Sequence, residues 1–485
     1  MDTQSGDAKQ LEVAIVGAGM SGMAMAIELR NAGIEDFQIF EKADAVGGTW
    51  RENRYPGLSC DVPSFFYSYS FEPNLEWTHR FSPGYEIQAY FEGVAKKYDL
   101  LRSISFKEAV ESARYEDGSW TIHTSTGNRY QARFLIAGTG PLHQKFYPEI
   151  EGLESFEGSM FHSADWDDDL DLDGKRIGVI GNGSTGVQMM SPLSDKASHL
   201  TMFQRTPQWI FPVSNMRYSD SARKWKRRLP ILARITREFY KRVYEWGSVG
   251  VVKDGFFRRQ MATGCRDHLK TVEDPELRAK LTPDYQPGCK RLILSTDFYP
   301  TLAKKHVDLI TEDIARISPK GVTTNDGVLH ELDVLVLATG FRPHAWGIDQ
   351  VVGADGRSLK EAWAQGSRTY RAIMIPDFPN YFMLAGPNCP LGNISLIDVA
   401  ETQSRYIVNC ILKMRQEPDK VMSPKRSATE AFHKELTGAM DGTVWVSGCN
   451  SWYLDADGVP VLWPWPAKRF HEVMRTPDFD DYELK

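Results

Sequence analysis

Glu12-Val13-Ala14-Ile15-Val16-Gly17-Ala18-Gly19-Met20-Ser21-Gly22 is the first clear signal in the chain. The β-branched run up to Val16 reads as a strand, and Met23–Leu29 with Ala32 as a helix. A strand, a G-x-G-x-x-G turn and a helix in that order hold the pyrophosphate of a dinucleotide. Gly17 permits the tight turn, Gly19 lets the backbone approach the phosphates beside Ser21, and Gly22 lets the helix pack on the strand. The helix N-terminus offers unpaired N–H groups and the positive end of its dipole. A second strand, Phe37–Phe40, ends at Glu41, 24 residues after Gly17. A carboxylate there can accept hydrogen bonds from a ribose hydroxyl pair.

The pattern recurs. Ile177–Ile180 leads into Gly181-Asn182-Gly183-Ser184-Thr185-Gly186, a helix over Val187–Leu193 and a strand over Leu200–Phe203. Arg205 lies 24 residues after Gly181, the offset that Glu41 has from Gly17. The change of charge is informative, because a carboxylate suits a bare 2′-hydroxyl and a guanidinium suits a 2′-phosphate. The first site is therefore expected to hold FAD or NAD, and the second NADPH. Two more strand-like runs end in glycine, Phe134–Gly140 and Val334–Gly340.

These signals predict an α/β fold with two Rossmann-like dinucleotide-binding domains. The expected FAD-binding domain covers 1–145 and 376–485. The NADPH-binding domain covers 150–215 and 290–375, interrupted by a helical insertion over 216–289. In the insertion Ile231, Leu232, Ile235, Phe239, Tyr240, Val243 and Tyr244 recur at helical spacing. Arg217–Arg242 carries ten Lys or Arg and two acids, a net +8. A solvated basic helix face, recruitment of anionic NADPH and peripheral contact with anionic lipid are all compatible with that charge.

The length of 485 residues is about three times the ~150 of a typical domain. Hydrophobic residues at 42% and charged residues at 25% exclude disorder and fibres. A net charge of -7 provides no global basic field for nucleic acid. No apolar run approaches the ~20 residues needed to cross a bilayer, and polar Met1–Gln10 lacks the pattern of a signal peptide. None of the six cysteines forms a C-x-x-C or metal-ligand spacing. They read as free thiols in a reducing, cytoplasmic compartment, with no metal site and no redox pair of the disulfide-reductase kind.

The remaining motifs are more specific. Phe156-Glu157-Gly158-Ser159-Met160-Phe161-His162-Ser163-Ala164-Asp165-Trp166-Asp167 matches F-x-G-x-x-x-H-x-x-x-W-[P/D]. Gly47-Gly48-Thr49-Trp50 with Asn53, Tyr55-Pro56-Gly57 and Asp61 matches G-G-x-W-x-x-N-x-Y-P-G-x-x-x-D. Lys290-Arg291-Leu292-Ile293-Leu294 followed by Asp297 is a third match. With both glycine turns, the chain resembles the type I Baeyer–Villiger monooxygenases, within the class B flavin-dependent monooxygenases, over nearly its whole length.

The resemblance implies an FAD- and NADPH-dependent enzyme that forms a C4a-peroxyflavin and inserts one oxygen from O2 beside the carbonyl of a small-molecule ketone. It implies that Arg291 keeps the peroxide anionic, since a guanidinium stays charged at any working pH, and that Asp61 orients Arg291. Thr49, Trp50, Tyr67 and Ser395-Leu396 fit positions lining the flavin, and Gly48, Val110 and Gln188 are further expected cofactor-binding residues. Arg205, Thr206 and Lys290 fit the surroundings of the NADPH 2′-phosphate. Trp452 fits a contact to the nicotinamide ribose. Phe156, Gly158, His162 and Trp166 fit a role in coupling the domains. The chain is short for this family, so lengthened substrate loops are expected to be trimmed. The alternatives are a flavin monooxygenase acting on nitrogen or sulfur, and a flavoprotein reductase or oxidase without oxygen transfer.

Overall fold

The computed structural model describes residues 8–342, 350–392, 394–455 and 457–485; most of the polar N-terminal stretch, residues 1–7, lies outside them. Strand Lys9–Val16 has Val13, Ala14 and Ile15 completely buried, as expected of a parallel strand covered on both faces. It pairs in parallel with Phe37–Glu41 on one side and Arg129–Ala137 on the other. An eight-stranded sheet is built around these three. Ile104–Phe106 extends it past Phe37–Glu41. On the other side Arg129–Ala137 divides its edge: its first half pairs with the antiparallel strand Ser119–Thr124, its second half with Tyr381–Met383.

The second sheet is wholly parallel, in the order Val307–Ile310, His199–Phe203, Arg176–Ile180, Val334–Leu337, Ser159–His162. The helices after the two glycine turns are Met20–Asn31 and Ser184–Ser194. Each starts three residues earlier than its apolar run suggests, because the third glycine sits inside the first helical turn. The fold is thus α/β with two Rossmann-type sheets.

Two expectations need correction. The span 290–375 mixes two sheets: Val334–Leu337 lies in the second, but Gln350–Val352 pairs with Ser112–Arg114 of the first. The chain therefore returns to the first sheet before residue 375, through a three-residue strand too short to carry a periodic signal. The six cysteines are not all free thiols. Cys289 and Cys449 form a disulfide across 160 residues of sequence, while Cys60, Cys265, Cys389 and Cys410 are free and buried. Sequence spacing reveals only close pairs, and this one is created by tertiary folding.

Between His199–Phe203 and Val307–Ile310, both strands of the second sheet, come the helices Asp220–Arg228, Pro230–Val252, Phe256–Leu269 and Pro275–Lys280. Among the described residues no helix is long and apolar enough to cross a membrane.

Candidate active site

The two glycine turns are built alike. Gly17 has φ +99°, and a Cβ there would lie 2.7 Å from the Gly138 carbonyl oxygen. Gly181 has φ +108°, and its Cβ would lie 2.4 Å from that of Ala338. Cβ atoms at Gly22 and Gly186 would stand 1.9 and 2.1 Å from the carbonyl oxygens of Gly17 and Gly181. Backbone contact therefore requires glycine at all four positions. Both turns lie at the carboxyl ends of parallel strands, where open α/β sheets bind their ligands.

Both turns open onto one cavity of ≈ 1920 Å³, against roughly 300–1,000 Å³ for the site of one small ligand. Gly17, Gly19, Ser21, Glu41, Gly48, Thr49, Trp50, Asp61, Tyr67, Val110 and Leu396 line it, as do Gly181, Asn182, Gly183, Ser184, Thr185, Gln188, Arg205, Thr206, Lys290, Arg291 and Trp452. Of the expected binding residues only Gly22 and Gly186 do not, since they pack helix against turn.

On the first side, Glu41 is buried. Its carboxylate accepts the backbone N–H groups of Ala18 at 2.7 Å and Ala43 at 2.9 Å. It thus braces the turn as well as facing the cavity. Trp50 Nε1 donates to the Tyr67 hydroxyl at 2.9 Å, fixing both rings edge to face. Leu396 opens the helix Leu396–Arg415, whose positive end faces the cavity.

Arg291 donates to one oxygen of Asp61 through Nε at 2.9 Å and through Nη2. Both side chains are about a third exposed, at 31% and 28%, and both line the cavity. The Asp61 charge drives the Arg291 pKa further upward, against the opposing effect of burial. Two tyrosines not expected from the sequence complete the arrangement. Tyr244, from the helix Pro230–Val252, donates to the Asp61 carbonyl oxygen. Tyr453 packs against Trp452 with the rings tilted and their centroids 4.5 Å apart. Its hydroxyl and Arg291 Nη1 both border Gly392, at 3.2 and 3.5 Å from where a Cβ would stand. Burial raises the pKa of both phenols, keeping them protonated. Burial likewise pushes the Cys60 thiol up, so the cavity wall carries no thiolate there. Neither Cys289 nor Cys449 lines the cavity.

On the second side, Arg205 is exposed and Lys290 half-buried. Burial lowers the Lys290 pKa, Asp284 opposes that shift, and the neighbouring Arg205 charge adds to it. Two cations this close form an anion-binding patch. Asn182 holds the following loop by donating to Gln204 Oε1 and the Thr206 carbonyl at 2.7 and 2.8 Å. Gln188 ties the two halves together: it donates to the Ser59 carbonyl at 2.9 Å and accepts from the Tyr55 hydroxyl at 2.9 Å.

Phe156, Gly158, His162 and Trp166 do not line the cavity. A Cβ at Gly158 would lie 2.5 Å from the Asp333 carbonyl oxygen. Phe156 packs against the apolar cluster that contains Ile180, Ile317 and Leu337, and Trp166 meets Phe161 edge to face at 5.2 Å. His162 Nδ1 accepts from Ala164 N–H at 3.1 Å, so Nε2 carries the proton and donates to the Gly340 carbonyl at 2.9 Å. Burial lowers its pKa, favouring this neutral form. Nε2 thus ties strand Ser159–His162 to the loop after Val334–Leu337, while Nδ1 caps the turn Ser163–Asp165 that follows His162.

The description "pyridine nucleotide-disulphide oxidoreductase" belongs to the family model that matches residues 14–246. An uncharacterized monooxygenase of Mycobacterium tuberculosis is 46% identical over 98% of this chain and 96% of the relative. A Baeyer–Villiger monooxygenase of Pseudomonas aeruginosa is 37% identical over 98% of this chain and 92% of the relative. The crystal structure of OTEMO in complex with FAD and NADP superposes with a TM-score of 0.86 at 27% identity, covering 99% of this chain and 100% of that one. The chain belongs to the Baeyer–Villiger monooxygenase family.

Proposed function

We propose that this chain is an FAD- and NADPH-dependent monooxygenase that inserts one oxygen atom from O2 beside the carbonyl of an apolar ketone, giving an ester or lactone. The observation that carries the reading is the Arg291–Asp61 pair, set in the cavity onto which both glycine turns open.

The residues present fit two dinucleotides. A Cβ at Gly19 would come within 3.7 Å of Gly48 Cα, whereas one at Gly183 would meet nothing within 4 Å. Glycine thus leaves backbone bare at both phosphate positions. We assign FAD to Gly17, Gly19, Ser21 and Glu41, with Trp50, Tyr67, Val110 and Leu396 along its ring. NADPH is assigned to the second turn, with Arg205, Thr206 and Lys290 around its 2′-phosphate. FAD, when bound, supplies hydride acceptance from NADPH and activation of O2. In domain terms, 8–145 and the chain from 350 onward form the flavin unit, 150–215 and 290–342 the NADPH unit, and 216–289 the helical insertion.

The protein's own residues supply the rest. Arg291 offers a permanent cation to the negative charge that oxygen insertion develops. At ~4 Å and an effective dielectric of ~20 that attraction is about 4 kcal/mol before desolvation. Asp61 takes Nε and Nη2 of the guanidinium, leaving Nη1 beside Tyr453, and Tyr244 pins the Asp61 backbone. Arg291→Ala is expected to leave flavin reduction by NADPH within about threefold of wild type and to lower ester formation by roughly 100–1,000-fold. Stopped-flow reduction and product yield measure the two separately. Ester formation retained by the variant would remove Arg291 from this role.

A further inference from the structure

The helix Pro230–Val252 turns two different apolar faces outward and inward. Its inner face places Tyr244, Gly247 and Val251 on the cavity wall. Its outer face carries Ile231, Ile235, Phe239 and Trp246 at 56–62% exposure. Successive steps of four, four and seven residues keep these four side chains on one stripe. Scattered exposed apolar residues are ordinary, but a continuous stripe marks an interaction surface. Val243 and Phe257 are both exposed, at 40% and 41%, and both line the cavity. Val243 and Phe257 join the edge of the stripe to the cavity lining, so the stripe borders the active site.

Charge identifies what covers the stripe. Arg228 ends the preceding helix and Arg234 and Arg242 stand on this one, all three exposed, with only Glu238 of opposite sign exposed among them. Their paired neighbours are spoken for elsewhere: Arg227 and Arg223 face Glu76, while Arg237 and Lys241 face Asp398. An exposed apolar stripe flanked by free arginines is the pattern of a helix lying in the headgroup region of an anionic bilayer. A second copy of the chain docking by the same face would set these arginines against their own equivalents.

We propose that the outer face of Pro230–Val252 docks peripherally on anionic bilayers and holds the Val243–Phe257 side of the cavity against the membrane. An apolar ketone dissolved in the bilayer would then enter without crossing water, a consequence that rests on the function proposed above.

The test is co-sedimentation of the FAD-loaded protein with phosphatidylcholine vesicles, with and without about one third phosphatidylglycerol. Wild type is expected to bind the anionic vesicles at least ~10-fold more than the neutral ones, and to be released by ~0.5 M salt. Arg234→Gln with Arg242→Gln should weaken binding by roughly 25-fold, about fivefold per charge. Ile235→Glu with Phe239→Glu should abolish binding while keeping flavin content and turnover of a water-soluble ketone, because both side chains face solvent. Wild type left in the supernatant, or equal binding by the variants, overturns the proposal. So does a dimer in light scattering that Ile235→Glu with Phe239→Glu dissociates. Sedimentation reads docking without turnover, so its failure is distinct from failure of the oxygen-insertion reading.

Discussion

Arg205 and Glu41 occupy equivalent positions after equivalent turns, and in the assignment proposed above their opposite charges separate the two nucleotide sites. That contrast is legible in sequence because a strand end fixes where the next side chain emerges. What the offset does not reveal is that Glu41 already accepts two backbone N–H groups. For Arg205, loss of one charge-assisted contact to a phosphate is worth roughly 1.5–3 kcal/mol. Arg205→Ala should therefore raise KM for NADPH about 10–100-fold, and that for NADH less than about threefold. Equal effects on both coenzymes would show that Arg205 does not read the 2′-phosphate. Sequence does not mark Tyr244 and Tyr453 as site residues, for a physical reason. Each reaches Asp61 or Arg291 from more than 150 residues away in sequence, so no local pattern marks them.

At the scale of elements, apolar periodicity identifies the helix Pro230–Val252 but not which of its faces is covered. Tyr240 and Tyr244 turn inward while Ile231, Ile235 and Phe239 turn outward, although all belong to the same periodic series. What seats this helix is a buried charge cluster that sequence gives no sign of. Asp398 lies in the first turn of Leu396–Arg415 and is buried. Lys241 Nζ is 3.1 Å from it, as is Nε2 of His471 on the helix Ala467–Val473, and Arg237 stands at 4.0 Å. Burial alone would raise the Asp398 pKa, but His471 and Lys241 outweigh it and hold the pKa at about 2. Because the folded pKa is depressed, the cluster's stabilisation is present above the unfolded value of about 3.9 and lost as pH falls toward 2. Asp398→Asn should cost about 3 kcal/mol at pH 7, since it removes the buried carboxylate that Lys241 and His471 face. Urea unfolding should show that difference shrinking below about pH 4. An unchanged midpoint at pH 7 would mean that the cluster does not hold the insertion in place.

For the whole molecule, the two sheets and their order in the chain were readable because each glycine turn carries strand, turn and helix within about 30 residues. The path between the sheets was not, as the early return at Gln350–Val352 and the Cys289–Cys449 bridge show. Both depend on where distant segments meet. The central claim concerns what the assembled cavity does: with both nucleotides present, Arg291 and Asp61 direct oxygen insertion at a carbonyl. The most direct test is to incubate the FAD-loaded protein with NADPH, isotopically labelled O2 and a panel of linear, cyclic and aryl ketones with one thioether. Mass spectrometry then reads the products. The predicted result is an ester or lactone carrying a single labelled oxygen from at least one ketone. Sulfoxide without ester, or hydrogen peroxide alone across the panel, would contradict it.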